Sequence, residues 1–195
     1  MTGVSVQLGL PENLRTEAAR LYWQAFGSKL GVVMGPEERA LRFLTRVIRA
    51  DQVIIACAPD GRLLGIAGFK TPRGSFASGQ AADMTAIYGL FGAFWRRTLL
   101  GWLSDRVDND HFLLDGLCVD ASARNQGLGS ALMRAICAEA RVRGYASVRL
   151  DVIDSNPRAV ALYKRLGFTV TGRQSIGLLR WVFGFAAAFT MVRAV

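Results

Sequence analysis

The chain has 195 residues, 51% of them hydrophobic, and this length suits one domain with one substantial core. Its 24 Lys and Arg against 15 Asp and Glu give a formal charge of +9, but the basic residues are scattered, which favours a solvated Arg-rich surface over a nucleic-acid site. The start resembles no secretion signal and no apolar window is long and unbroken enough to span a bilayer, so we expect a soluble, cytoplasmic protein without stable membrane insertion.

The first quarter of the sequence predicts one strand followed by two helices. Residues 4–10 (VSVQLGL) alternate as a strand does, and residues 11–27 space their apolar side chains at helical intervals. The stretch 28–35 (SKLGVVMG) is typical of a loop. Pro36 and the two glutamates behind it then favour a second helix, which we expect to run to Ala50.

A hairpin and an inserted helix follow. Two β-rich runs flank Asp60-Gly61, a pair suited to the backbone angles of a tight hairpin turn. Residues 72–82 carry turn residues, and residues 84–103 are apolar on nearly every side, as in a buried helix. We interpret residues 72–110 as an insertion between the third and fourth strands that contains a largely buried helix.

The next segment predicts a parallel strand-helix-strand unit. HFLLDGLCV (residues 111–119) is typical of a strand and residues 127–144 of a helix that ends at its final glycine. YASVRLDVI (residues 145–153) predicts a second strand. A helix between two strands of this kind makes a right-handed crossover.

One more helix and two strands complete the chain. Asn156 can cap a helix in which Pro157 occupies the first position. Residues 168–174 and 184–194 then predict two closing strands. The link between them, residues 175–183, is apolar.

The cysteines indicate neither a disulfide framework nor a metal site. Cys57, Cys118 and Cys137 are odd in number, have no metal-ligand spacing, and have His111 as their one imidazole partner. We therefore expect no metal and a reducing cytoplasm. Cys118 and Cys137 are predicted to be structural thiols.

The stretch ARNQGLGSAL, residues 123–132, places two glycines at the mouth of a predicted helix. The first turn of a helix leaves N–H groups unpaired and carries partial positive charge, so an anion binds there, and bare glycines let a phosphate approach. A triphosphatase loop is excluded because Ser130 and Ala131 follow where Lys and then Ser or Thr are needed. A dinucleotide loop is disfavoured because Leu132 stands where a third Gly or Ala belongs.

A third pattern is Arg or Gln, two residues, Gly, one residue, and Gly or Ala, which RNQGLG fills. From Leu113 to Phe168, LLDGLCVDASARNQGLGSALMRAICAEA followed by LDVIDSNPRAVALYKRLGF resembles the acyl-CoA core of the GNAT superfamily of N-acetyltransferases. The resemblance implies an α/β (α+β) fold: a mixed twisted sheet with splayed fourth and fifth strands, helices on both faces, and the apolar helix inserted before the fourth strand. It also implies one GNAT domain over residues 1–195.

The resemblance implies acetyl-CoA as co-substrate and assigns residues that hold it. Asn156 matches an Asn that bonds the cofactor arm, with helix capping alone as the alternative. The edge of the fourth strand would pair with the pantetheine arm through Leu117, Cys118 and Val119. The following loop and helical turn would hold the pyrophosphate through Arg124, Asn125, Gln126, Gly127, Leu128, Gly129 and Ser130. Many family members carry Gly and a basic residue where Asn125 and Gln126 stand.

The same resemblance implies direct attack of a neutral amine on the thioester in a ternary complex. Tyr163 matches the Tyr that serves the departing thiolate, with a buried core Tyr as the alternative. Because a phenol near pKa 10 protonates a thiolate of pKa near 8.5 only uphill, hydrogen bonding is its better role. The N–H of Val119 would stabilise the oxyanion. Asp115 would act as base or orient the acceptor, on a strand face shared with residues 117 and 119, and His111 is a weaker candidate base.

The acceptor groove of this family lies between the first two helices with their loop, the fourth strand and the last link. Those parts are rich in Trp, Phe and Leu here, which favours an acceptor with an apolar part, or a protein surface, over a polycation. We therefore predict acetylation of a primary amine on a small molecule or a protein, without nucleic acid, by a chain that allows a homodimer. Two alternatives stay open: a non-catalytic acyl-CoA-binding module that regulates a partner through its apolar helix, and peripheral membrane attachment through residues 84–103.

Overall fold

The computed structural model of the chain describes residues 3–77, 79–103, 110–177 and 180–195. The predicted insertion 72–110 and the predicted link 175–183 therefore lie partly outside the described residues. Of the helices within the described ranges, none is long and apolar enough to cross a membrane.

The elements before the insertion follow the predicted order of strand, two helices and hairpin. Helix α2 ends at Val47 rather than at the predicted Ala50, because residues 50–52 form a separate 3-10 turn. The bounds are β1 Ser5–Leu8, α1 Arg15–Met34, α2 Glu37–Val47, β2 Val53–Cys57 and β3 Leu63–Thr71.

Helix α1 is longer than the sequence predicts. Residues 28–35 were expected to form a loop, but the helix continues to Met34. Val33 and Met34 are buried, and Tyr88 Oη donates a hydrogen bond of 2.6 Å to the Met34 carbonyl. Burial against the rest of the protein therefore outweighs the low helix propensity of Gly31 and the valines beside it.

The inserted helix, α3 (Ala81–Leu103), forms as predicted, but the expectation that it is largely buried is wrong for residues 90–95. Met84 and Tyr88 are buried against α1 and α2. Gly89 then adopts a positive φ of 72° and interrupts the helix. Beyond this break three apolar side chains face solvent: Leu90 is 77%, Phe91 93% and Phe94 76% exposed.

The second half of the chain contains the predicted strand-helix-strand unit, the next helix and the two closing strands. The apolar link between the last two strands contains a short helix that the sequence pattern did not indicate. The bounds are β4 Phe112–Val119, α4 Leu128–Val142, β5 Ser147–Ile153, α5 Pro157–Arg165, β6 Thr169–Ser175, α6 Arg180–Phe183 and β7 Ala187–Ala194.

One mixed sheet joins the strands in the order β1-β2-β3-β4-β5-β7-β6, and the two-residue strand Gly74–Ser75 pairs with β3. Strands β4 and β5 are parallel, and each of the other pairs between described strands is antiparallel. In the described chain β4 and β5 pair at Phe112 with Val148 and at Leu113 with Arg149, and no further along. The pairing of β4 with β3 continues to Val119. The predicted splay of the fourth and fifth strands is therefore confirmed.

A β-bulge lies in β4. Gly116 pairs with Gly68 while Leu114 pairs with the next residue of β3, Phe69, so Asp115 is an extra residue without a partner on β3. An extra residue resets the alternation of side chains along a strand. The bulge therefore decides which side chains of β4 face the same way.

Helices cover both faces of the sheet, as predicted. One core lies under α4 and α5, and the other under α1 and α2. Burial of each large apolar side chain contributes about 1.5–3 kcal/mol. Fully or nearly fully buried members are Leu132, Met133 and Ile136 under α4, and Ala18, Leu21 and Leu44 on the opposite face.

Candidate active site

The turn between β4 and α4 has a backbone conformation that few residues adopt. Asp120 starts it, and its carboxylate accepts a hydrogen bond of 2.9 Å from the Ser122 N–H. Asn125 has a φ of 61°, the one positive value for a non-glycine residue in the described chain, and Gly127 has a φ of 77°. Glycine enters this left-handed region freely, and Asn tolerates it better than most residues. The loop predicted from RNQGLG is therefore a left-handed turn that leads directly into α4.

The backbone N–H groups of this turn have no acceptor within the described protein. From residue 125 to residue 130 none donates a hydrogen bond to a described residue, and the first bond of α4 runs from Ala131 N to Gly127 O, at 3.0 Å. The helix dipole adds partial positive charge at the same end. The residues present therefore fit an anionic group such as a pyrophosphate.

The two glycines of the turn have different surroundings. Gly127 supplies the left-handed conformation at the start of α4. A Cβ at Gly129 would lie 3.3 Å from Leu162 Cδ2 and 3.9 Å from Leu117 Cδ2. The sequence predicted that both glycines let a phosphate approach the backbone. Gly129 also lets α4 pack closely against α5 and β4.

Polar side chains of the turn bind the turn itself. Arg124 Nε donates a hydrogen bond of 3.1 Å to the carbonyl of Val119, and Gln126 Nε2 donates one of 3.0 Å to the carbonyl of Ser122. Arg124 therefore ties the turn to the end of β4. Its position keeps a positive charge at the entry of the turn, where the sequence predicted it.

The splayed edge of β4 presents alternate backbone groups. The Asp120 N–H donates a hydrogen bond of 2.9 Å to the Leu64 carbonyl on the β3 side. Hydrogen-bonded and non-hydrogen-bonded pairs alternate in antiparallel strands, so Val119 and Leu117 direct their N–H and C=O groups away from β3, toward β5. Cys118 directs its backbone groups to β3. Both backbone groups of Leu117 and the N–H of Val119 are therefore directed to where an extended ligand could pair, while the Val119 carbonyl accepts from Arg124.

Tyr163 lies on α5 within the core under α4 and α5. It is 6% exposed, and its ring centroid is 5.9 Å from that of Phe168. Burial, and secondarily the nearby Cys118 thiol, raises the pKa of Tyr163 well above its ordinary value. Since the phenol holds its proton more tightly, the structure strengthens the case for a hydrogen-bond donor over a proton donor.

Asn156 caps α5, as one of its two interpretations requires. Its Oδ1 accepts a hydrogen bond of 3.2 Å from the Ala159 N–H, and Pro157 follows at the first helical position. The cap fixes where α5 begins and so places Tyr163 two turns later. Contact of Asn156 with a cofactor stays a prediction.

Asp115 does not share a face with residues 117 and 119, so that expectation is wrong. Leu117 and Val119 pack toward α4 and α5, whereas Asp115 acts electrostatically on Tyr22 of α1, on the opposite face. The reason is the bulge, which adds one residue and reverses the alternation after Leu114. The Asp115 carboxylate accepts a hydrogen bond of 2.5 Å from Ser75 Oγ and one of 3.4 Å from the Ala77 N–H.

Tyr22 lies beside the candidate site residues Asp115 and Cys118, and sequence reasoning did not single it out. Burial first, then Asp115, then Cys118 raise its pKa well above the ordinary value for Tyr. Its ring lies 4.6 Å from that of Phe26 and 5.7 Å from that of Phe76, between centroids. The sequence signal was a phenol at a core-facing position of an amphipathic helix; Ser75, in a segment of small residues, gave no signal.

His111 lies at the end where β4 and β5 are paired. His111 Nδ1 and Ser147 Oγ are hydrogen-bonded at 2.5 Å, one residue before the first pair of these strands. The splay opens at the other end of β4, where Cys118 acts electrostatically on both Tyr22 and Tyr163. His111 is therefore separated from the groups that surround the splay.

Comparison with known sequences gives consistent family descriptions. A family model described as the acetyltransferase (GNAT) family matches residues 16–168. "Probable N-acetyltransferase family 8 member 5" of Mus musculus is 29% identical over 137 residues, which cover 64% of this chain and 60% of that protein. The ribosomal protein bS18-alanine N-acetyltransferase of Escherichia coli strain K12 is 42% identical over 59 residues, 30% of this chain and 40% of that protein. The chain thus matches at most 60% of the length of these two relatives.

Comparison with solved structures addresses the whole fold. A structure from Corynebacterium glutamicum ATCC 13032, described as histone acetyltransferase HPA2 and related acetyltransferase, superposes with a TM-score of 0.66. The superposition covers 98% of this chain and 96% of that one at 19% sequence identity. At this identity the likeness shows a shared fold.

Proposed function

The chain belongs to the acetyltransferase (GNAT) family, and from that premise we propose that it is an N-acetyltransferase that moves an acetyl group from acetyl-CoA to a primary amine. The observation that carries this proposal is the turn before α4, whose N–H groups from residue 125 to 130 have no acceptor in the described protein and which follows the splayed strand β4 directly. The acceptor is an amine of a small molecule or of a protein. We also propose one domain over residues 1–195, with residues 72–110 as an insertion, in a cytoplasmic protein.

The co-substrate site follows from the backbone. Acetyl-CoA supplies an acetyl group that its thioester activates toward amines. The left-handed turn and the start of α4 would hold the pyrophosphate, from Arg124 to Ser130. Leu117 and Val119 would pair with the pantetheine arm along the edge that β5 leaves open. Asn156 would add a contact from its amide nitrogen, since capping uses only its oxygen.

Three residues would carry the chemistry. The Val119 N–H, directed toward the splay, would donate a hydrogen bond to the developing oxyanion. Tyr163 Oη would donate one to the departing sulfur while keeping its own proton, as its raised pKa favours. Asp115 would orient the acceptor amine or take its proton from the α1 face, where Ser75 holds the carboxylate.

Titration calorimetry with acetyl-CoA at low and high salt tests the proposal. We expect micromolar or tighter binding that weakens as salt rises, because part of the affinity comes from the anion at the helix terminus. A panel of small amines and of peptides with free N-termini is then screened for release of free thiol. Absence of binding at both salt concentrations would contradict the proposed site. Binding without turnover on any amine, unaffected by Tyr163→Phe, would instead indicate a non-catalytic acyl-CoA-binding module.

A further inference from the structure

The second half of α3 exposes an unusually large apolar surface, which we call the α3 face. Ten of the large hydrophobic side chains in the described chain are exposed, and four of them fall within six consecutive residues. These four are Leu90 at 77%, Phe91 at 93%, Phe94 at 76% and Trp95 at 39%. At about 200 Å² for each side chain, their exposed area is on the order of 600 Å². Monomeric proteins rarely expose a larger continuous apolar patch, and such patches mark interaction sites.

The α3 face is held outward by contacts on the other side of the helix. Arg96 Nε donates a hydrogen bond of 2.6 Å to the Val33 carbonyl at the end of α1. The same guanidinium lies over the rings of Tyr88 and Trp95, 4.2 and 4.3 Å from their centroids. Ala93, on the same helix, is buried. The exposed aromatic side chains therefore belong to a fixed helix face rather than to a loosely attached segment.

Positive charge borders the α3 face. Arg97 is exposed on the same helix, two residues after Trp95. The sequence from Met84 to Ser104 contains no acidic residue. The whole chain carries a formal charge of +9. An apolar face with an exposed arginine beside it, on a chain of net positive charge, matches a surface that is apolar inside and anionic outside.

Area and charge disfavour a second copy of the chain as the occupant. A stable interface of standard size buries roughly 800 Å² on each partner, more than the α3 face offers. A second copy would also bring its own Arg97 to the contact, where like charges repel. A bilayer needs no shape complementarity, and its anionic headgroups would pair with Arg97.

We propose that the α3 face is a peripheral binding surface for an anionic lipid bilayer. The helix lies in the plane of the interface, with Leu90, Phe91 and Phe94 among the acyl chains. Trp95 takes the headgroup level that an indole prefers. Arg97 contacts lipid phosphates. The insertion thus places the enzyme at a membrane surface without crossing it, and this inference does not depend on the proposed transferase activity.

Co-sedimentation of the full chain with lipid vesicles tests the proposal. Vesicles of phosphatidylcholine alone are compared with vesicles containing about 30% phosphatidylglycerol, a share that gives an anionic surface potential. We expect the chain to sediment with the anionic vesicles and to remain largely in solution with the neutral ones. Raising salt to about 1 M, where the Debye length is about 3 Å, should release roughly nine tenths of the bound protein.

Matched variants locate the contact. The double variant Phe91→Glu/Phe94→Glu should weaken partition onto anionic vesicles roughly tenfold or more, and Arg97→Glu about threefold. Val142→Glu changes an 83% exposed apolar residue on α4 in the same way and should bind as the parent chain does. Thermal melting checks that the variants fold. Failure of the parent chain to sediment with anionic vesicles, or equal binding of the Phe91/Phe94 variant, would overturn the proposal. So would light scattering that shows a dimer which the double variant disrupts, together with no vesicle binding.

Discussion

The two faces of β4 contribute two halves of the proposed site in different ways. Toward α4 and α5, the half consists mainly of backbone groups: the edge at Leu117 and Val119 and the N–H groups of the turn that follows. Toward α1, it consists of side chains from three separate segments, with Asp115 beside Ser75 and Tyr22. A site of backbone groups depends on conformation, whereas a site of side chains depends on the identity of each residue.

This difference predicts which measurement each change affects. Variants on the backbone half should alter affinity for acetyl-CoA when they alter backbone conformation. Variants on the side-chain half should leave that affinity unchanged and alter use of the acceptor. Tyr163 lies between the two, because it is a side chain on the α5 face that would serve the chemical step.

Gly127→Val is expected to have the largest effect. A β-branched residue at a φ of 77° is strained, and release of the strain would reshape the turn. We expect acetyl-CoA affinity to fall roughly a hundredfold, or about 2.7 kcal/mol, in titration calorimetry. Gly144→Val is the matched control at the other end of α4, with a φ of 80° and open space around a new Cβ. It should lose similar stability yet bind acetyl-CoA as the parent does. If both variants lost acetyl-CoA affinity equally, the effect at Gly127 would come from general destabilisation of the fold and not from the shape of the turn.

Tyr163→Phe tests the side chain placed between the halves. We expect turnover to fall roughly a hundredfold, as when one preorganised donor is removed, with acetyl-CoA affinity within about twofold of the parent. Tyr145→Phe removes a phenol whose ring packs on Phe112, away from the splay, and should leave turnover unchanged. Steady-state kinetics on the best amine of the panel measures both. Parent-like turnover of Tyr163→Phe would remove the proposed role.

The backbone half could be predicted from sequence because it is local. The strand, the turn at residues 124–127, the helix and the Asn156 cap are consecutive signals, each with its own residue preference. Their order then fixes the parallel crossover and the place of Tyr163. Even there, the packing role of Gly129 was not predicted. It depends on the close approach of α4 to Leu162 of α5, and these helices are separate in sequence.

The side-chain half could not be predicted because it depends on long-range geometry. A strict alternation placed Asp115 with residues 117 and 119, and one unpaired residue in the bulge reversed that assignment. The loop expected at residues 28–35 is helical because tertiary packing buries it. Phe91 and Phe94 are exposed in a helix whose apolar composition predicts burial, and they follow a break at Gly89. None of these follows from composition or spacing.

Asp115→Asn tests the side-chain half directly. If the carboxylate orients the acceptor, kcat/KM for the amine should fall roughly tenfold, while acetyl-CoA affinity stays the same because Asp115 faces α1. Asp151→Asn alters a carboxylate on β5 that accepts from Thr190 Oγ1, and serves as control. A loss beyond a hundredfold that high pH restores would instead assign Asp115 as the base. If Asp115→Asn weakened acetyl-CoA binding, the proposed separation of co-substrate binding from acceptor use would be wrong.

Cys118 lies where the halves meet, and its variant should have the smallest effect on activity. Burial raises the pKa of its thiol well above the ordinary value, so the folded protein keeps the proton while the unfolded chain releases it near pH 8.5. The stability that the protonated thiol contributes is therefore full below pH 8.5 and is lost as pH rises toward the raised folded pKa, by up to about 1.4 kcal/mol per pH unit.

In denaturant titrations between pH 8 and 10, Cys118→Ala should show a shallower loss of unfolding free energy than the parent, with turnover within about twofold. Cys137→Ala is the comparison, because Arg193 and Arg141 partly offset the effect of burial on that thiol and should make its slope change smaller. If the pH dependence of the unfolding free energy were the same in Cys118→Ala and the parent, burial would not raise the pKa of this thiol. A large loss of turnover would mean that Cys118 takes part in the reaction and is not only a buried residue between the two halves.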